Sequence, residues 1–162
     1  MADQPQQNEQ QQQQTRMTVE AALGTIVVLA AASPVHRHTL FVGDVAWWLL
    51  PPVQAGQFRL FQANQRPVGA AIWAYASDEV AERLAQGGRV AVHEWQSGDT
   101  PWIVDLIAPQ GGQQKMLADL ANGVLKGKGV RYLTTQSDGS RVVNNLDDLA
   151  GSGGEAAESA GG

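Results

Sequence analysis

The chain has 162 residues, 43% of them hydrophobic, a net charge of −5 and no cysteine. That length makes one ordinary domain with enough apolar residue for a core. The absence of cysteine excludes a disulfide framework, a thiolate nucleophile and any cysteine-ligated metal, and the scattered Lys and Arg form no basic stripe, so no nucleic-acid partner is expected.

Residues 1–16 are dominated by Gln, with Asn and Asp beside it, a composition that cannot bury enough apolar surface to offset its ordering entropy, so a disordered tail is expected. Residues 150–162 are Gly, Ala, Ser and Glu and read as a second flexible tail. The domain proper is expected over 17–149. Thr18 is a candidate N-cap for a helix from Val19 to about Ala32, stopped by Ser33-Pro34. Its apolar part, Ala21 to Ala32, is too short to span a bilayer. It reads as a buried helix in preference to a signal-peptide core, because the segment before it is glutamine-rich with Arg16 as its base.

A short helix is expected from Gly43 to Leu50, ended by Pro51-Pro52. Gln57–Ala63 and Val68–Ala76 read as strands joined by a turn at Asn64-Gln65-Arg66-Pro67, an antiparallel hairpin. Ser77 caps a helix from Asp78 to Gln86, which has acids in its first turn and ends at Gly87-Gly88. Arg89–Trp95 reads as a third strand and Trp102–Ala108 as a fourth. The nearly continuous apolar run of the latter suits a central strand covered on both faces. Pro109-Gln110-Gly111-Gly112 leads into a helix from Gln113 to about Lys126, and Val130–Thr135 is the last expected strand. The order predicts an α+β fold with a mixed sheet.

Polar chemistry concentrates in two islands, Ser33-Pro34-Val35-His36-Arg37-His38 and His93-Glu94-Trp95-Gln96-Ser97-Gly98-Asp99, the second running on through Trp102 and Asp105 to Pro109. His36 is the candidate general base, since histidine titrates nearest neutral pH. Asp99 is the candidate orienting group, expected to accept from one ring nitrogen of His36 and so fix its tautomer. The competing reading of Asp99 is a turn residue in Ser97-Gly98-Asp99-Thr100. A metal site is not expected, because His36 and His38 lack the closely spaced carboxylates or thiolates such sites use. Ser33 is a candidate nucleophile without the Gly-x-Ser-x-Gly elbow. Trp47, Trp48, Trp73, Trp95 and Trp102 read as core, with one or two able to line an acyl channel. Gly111 and Gly112, placed before a helix, form a candidate anion site.

Together these residues carry a resemblance. Ser33-Pro34-Val35-His36-Arg37 is similar to the Ser-Pro-Leu-His-Arg motif of the RTX toxin-activating lysine acyltransferases. Glu94-Trp95-Gln96-Ser97-Gly98-Asp99, continuing from Trp102 to Ile107-Ala108-Pro109-Gln110-Gly111, is similar to their second motif. Leu50-Pro51-Pro52, Gln57 to Leu60 and Arg66-Pro67-Val68 also fit, and the match covers roughly residues 20 to 143.

The resemblance implies a GNAT-like fold, a mixed, mostly antiparallel sheet flanked by helices. It implies transfer of a fatty acyl group from acyl carrier protein to internal lysines of an RTX protoxin in the cytoplasm, with His36 and Asp99 in the catalytic positions. No tightly bound cofactor is implied. The donor is fatty acyl-acyl carrier protein, whose phosphopantetheine would meet Gly111 and Gly112. The coenzyme A pyrophosphate loop of ordinary GNAT enzymes is not cleanly present at Gln110 to Gln114, which agrees with a donor lacking the ADP end. Relative to the best-known toxin activators the chain ends early and adds the glutamine-rich segment, which points to altered docking. Carrier docking would fall to residues such as Arg37, Lys126, Lys128 and Arg131, and a homodimer stays open. The reading from another class is a catalytically weak GNAT-like binding module or chaperone for a secreted repeat protein.

Overall fold

A computed structural model describes residues 17–151. The glutamine-rich segment 1–16 and the tail beyond Gly151 lie outside the described residues. Helix α1, Val19–Ala32, starts where the sequence predicts: the Thr18 hydroxyl accepts from the Ala21 N–H at 3.1 Å, satisfying one of the free donors of the first turn. Ala22, Ile26, Leu29 and Ala30 are buried along it. Ser33 leaves the helix in an extended conformation, as a residue preceding proline must. No described helix is long and apolar enough to cross a membrane.

The chain then makes tight turns. Short 3₁₀ segments at His36–His38 and Val42–Asp44 lead into a π-turn, Val45–Leu49, and a short helix α2, Leu50–Gln54. Pro51 and Pro52, expected to end a helix, instead stand inside the first turn of α2. The chain is already helical through Val45–Leu49, so the two prolines remove donors from a continuing helical stretch, and the wide π-turn lies directly before that interruption.

Five strands follow in the order β1-β2-β3-β4-β5: β1 Phe58–Ala63, β2 Arg66–Ala76, β3 Thr100–Ile107, β4 Arg131–Thr135 and β5 Arg141–Asn145. All neighbours are antiparallel except β3 and β4. This is the expected α+β, GNAT-like arrangement, with β3 in the centre. Asn64 and Gln65, both with positive φ, close the β1–β2 hairpin in the left-handed geometry that matches strand twist.

Three expectations change. Arg89–Trp95 is not a strand: the Glu94 carboxylate accepts the Ala91 N–H at 2.9 Å and binds Arg83, so side-chain bonds replace a ladder. Strand β5 was not foreseen. It is an edge strand with mostly exposed residues, and such a strand leaves no apolar alternation to read. Helix α4, Gln113–Asn122, ends at Gly123, short of Lys126.

Helices α1, α2 and α3 (Asp78–Ala85) cover one face of the sheet, packing on Ile72, Ala74, Trp102 and Ile107. Helix α4 and Leu146 cover the other, against Trp73 and Ile103. Strand β3 is irregular along both of its edges. Against β2, Asp105 pairs with Ile72 but Ile103 pairs with Trp73, so Val104 is an extra residue, a β-bulge. Against β4, the register contains one pair, Trp102 with Arg131, and the strands part beyond it.

Candidate active site

His36 is held from both sides. Its Nδ1 lies 2.7 Å from the Ser33 hydroxyl, and its Nε2 lies 2.9 and 3.0 Å from the two carboxylate oxygens of Asp105. Ser33 and His36 are 4% and 8% exposed, so the contact is shielded from competing water. A carboxylate can only accept, so Nε2 carries a proton. In the neutral ring Nδ1 is then the acceptor, and the Ser33 hydroxyl donates to it. Ser33 also accepts, at 3.4 Å, from the His36 N–H, and the Ser33 carbonyl accepts the Arg37 N–H. The Ser-Pro turn thus presses the serine and the imidazole together.

Asp105 arrives through the bulge. Side chains alternate faces along a regular strand, and Trp102 and Val104 pack on the α1 side while Ile103 packs on the α4 side. Continued alternation would turn Asp105 away from His36. The extra residue shifts the phase, so Val104 and Asp105 both meet the α1 face and Ile107 continues there. Bulges re-aim side chains in this way beside functional sites. The carboxylate also accepts the Leu106 N–H at 2.9 Å on Oδ1.

The expected partner of His36 was Asp99, and this is corrected: the carboxylate against the imidazole is Asp105. Asp99 is exposed in the turn that opens β3. That turn is built for packing. The Ser97 hydroxyl accepts the Ser77 N–H at 3.0 Å, the Gly98 N–H donates to the Tyr75 carbonyl, and a Cβ on Gly98 would come within 2.5 Å of the Ala76 carbonyl oxygen. Asp105 did carry a signal in the sequence. It is the one charged residue in the apolar run Trp102–Ala108, and a carboxylate in a central strand requires a partner.

His38 is exposed and accepts from Arg37 Nε at 3.0 Å, so the two histidines do not converge. Among the described residues no cluster of His, Cys, Asp or Glu is disposed to hold a metal. Gly111 and Gly112 lie between β3 and α4, exposed, with φ of +83° and +86° and open space where a Cβ would stand. Arg37 adjoins His36, whereas Lys126, Lys128 and Arg131 gather at the start of β4, where it is paired with β3.

Residues 15–146 match the family model described as the RTX toxin acyltransferase family. The chain belongs to this family. Among its relatives in the family, the lysine-acyltransferase RtxC of Vibrio cholerae is 30% identical over 115 residues, 68% of this chain and 72% of that protein. The protein-lysine palmitoyltransferase CyaC of Bordetella bronchiseptica is 38% identical over 91 residues, 55% of this chain and 48% of that protein. An uncharacterised protein of Synechocystis, sll0720, is 31% identical over 124 residues, 75% of this chain and 84% of its own length. As a member of the RTX toxin acyltransferase family the chain is an acyl-transferring enzyme.

Proposed function

We propose that this chain transfers a fatty acyl group from the thioester of acyl carrier protein to lysine ε-amines of an RTX protoxin, in the cytoplasm. His36 is the general base and Asp105 takes the orienting role. The observation that carries this reading is the imidazole fixed between Ser33 and Asp105.

At pH 7 only about one lysine in a few thousand is neutral, given an ordinary pKa of about 10.4. The amine nitrogen attacks the thioester carbonyl, the C–N bond forms, and the C–S bond breaks as the thiol leaves. Of the two protons the ammonium sheds, one ends on the leaving sulfur and one in solvent. His36 Nδ1 receives the amine proton and Asp105 stabilises the imidazolium, a contribution of about 10² to 10⁴ in rate for such a base. The Nδ1 lone pair faces the Ser33 hydroxyl, so the proton reaches the ring through that hydroxyl. Ser33 lies buried against the imidazole, a position that suits a relay better than a nucleophile that must meet a bulky thioester.

The parting of β3 from β4 supports the donor assignment. Beyond Trp102 the β4-facing backbone of β3 is outside the ladder, leaving peptide N–H groups to bind the thioester and its oxyanion. Gly112 gives α4 a start with no side-chain cap, where free N–H groups favour the phosphopantetheine phosphate.

The test is the intact mass of a co-expressed RTX protoxin with wild-type enzyme and with His36→Ala. A gain of fatty acyl mass that vanishes in the variant supports the reading. Full acylation by the variant overturns the base. A stable complex without any mass gain moves the assignment to a binding module.

A further inference from the structure

The imidazole of His36 is gripped at its edges and covered on a face. Ser33 and Asp105 meet its two nitrogens, and Trp48 stacks on the ring with centres 6.1 Å apart and planes 24° apart. Of the five tryptophans, Trp73, Trp95 and Trp102 are buried in the core, whereas Trp47 and Trp48 are partly buried. Trp47 stacks on Trp48 in turn, at 6.4 Å and 25°, and is itself tied down. Its indole N–H donates to Asp44 at 2.9 Å, and its carbonyl accepts from the Trp95 indole at 3.1 Å. The Arg89 guanidinium lies over the Trp47 ring, 5.4 Å from its centre, so this pair of indoles already takes one cation.

We propose that Trp48 is a positioning residue for the transfer, its indole face stabilising the imidazolium that His36 becomes when it takes the amine proton. The assignment rests on the reading of His36 as the base. An indole face carries the negative part of the ring quadrupole and attracts a cation within about 6 Å of its centre, the spacing of this stack. The neutral imidazole gains only packing from the same contact. The indole therefore favours the charged ring over the neutral one, and an interaction that grows as the proton arrives raises kcat rather than affinity. His36 is buried, so water is not there to solvate the new charge, and an uncompensated buried cation is costly. Asp105 compensates it at the ring edge and Trp48 at the face. The other charged groups close in sequence, Arg37 and His38, share the turn of His36 and are hydrogen-bonded to each other. Helix α1, which ends beside the ring at Ser33, carries its one charge, Glu20, in its first turn.

The test replaces Trp48 in the full chain by tryptophans carrying one, two and three fluorine atoms on the benzo ring, introduced by nonsense suppression. Fluorine drains negative charge from the face and barely changes the ring's size, so a purely packing role does not respond to it. The first readout is nitrogen NMR of the His36 ring, assigned with His36→Gln, at the pH where the unfluorinated protein holds equal amounts of imidazolium and neutral ring. The ratio of imidazolium to neutral ring should fall stepwise, by about fivefold at three fluorines. The second readout is steady-state transfer from acyl carrier protein to protoxin. There kcat should fall in the same order, by about threefold because the proton is only partly transferred in the transition state, with the donor and acceptor KM unchanged. A ratio indifferent to fluorine overturns the proposal whether or not the protein transfers acyl groups. A responsive ratio with a constant kcat, or with a rise in either KM in place of the fall in kcat, also overturns it. A responsive ratio in a protein that transfers nothing even unfluorinated removes the base reading, and the role in transfer with it, and leaves only the indole–imidazolium contact.

Discussion

Asp105 grips both sides of one imidazole edge, its two carboxylate oxygens 2.9 and 3.0 Å from His36 Nε2, across a gap of 69 positions in the chain. Replacement by Asn keeps the size but can turn an amide donor toward a ring nitrogen that must itself donate. Asp105→Asn should lower kcat for acyl transfer by about 10²-fold or more. Asp99→Asn, at an exposed turn position, should stay within about twofold of wild type. Single-turnover rates on the two purified variants compare them directly, and the reverse ranking would return the orienting role to Asp99.

Ser33 donates to His36 Nδ1 at 2.7 Å. As a relay it should be helpful but replaceable, because water can occupy the space a missing hydroxyl leaves. Ser33→Ala should slow transfer about tenfold, the scale of one lost hydrogen bond, while product still forms. Trapping of an acyl-serine on the wild-type enzyme, with no product from the variant, would make Ser33 a nucleophile.

Gly98 is pressed against the backbone of Ala76 and Ser77, with a Cβ reaching within 2.5 and 2.6 Å of their atoms. Backbone cannot step aside as a flexible side chain can. Gly98→Ala should therefore cost about 1–3 kcal/mol of folding stability, measured by urea denaturation. A variant as stable as wild type would show that the turn relaxes freely.

Glu94 links the segment after α3 to Arg83, at 2.6 Å. The Arg83 guanidinium, and then the Ala91 N–H, hold its carboxyl down to about 2 from an ordinary 4.5. A depressed carboxyl stabilises the fold above its unfolded pKa, and that contribution is lost as pH falls toward the folded value. Glu94→Gln should thus be less stable than wild type at pH 7, with the gap closing between about 4.5 and 2. Urea midpoints across that range provide the check, and a gap independent of pH would mean that packing, not charge, holds the segment.

What could be read in advance was whatever local chemistry decides. Thr18 and Ser77 announce α1 and α3 because a hydroxyl cap needs only its own first turn. The run from Trp102 to Ile107 announces a central strand because both its faces are covered. Arg89–Trp95 misled because its apolar spacing resembles a strand, while the deciding bonds come from Arg83 and Glu94 side chains. The expectation of Asp99 against His36 is overturned for a sharper reason: turn residues make Asp99 look exposed and available, whereas the face Asp105 presents depends on a bulge set by pairing with β2. No periodicity within β3 encodes that shift. His36 could be singled out; its two partners required the fold.

The wide turn at Val45–Leu49 and the extra residue at Val104 have a joint consequence. Each is a single added residue, one in a helical stretch and one in a strand, and they flank the same imidazole. Trp48 stands in the first, and Asp105 follows directly on the second. The working geometry is therefore keyed to residue count as much as to residue identity. A protein that kept every one of these side chains but lacked either added residue would carry all the parts and assemble none of them. Length, at these two points, helps to set what surrounds His36.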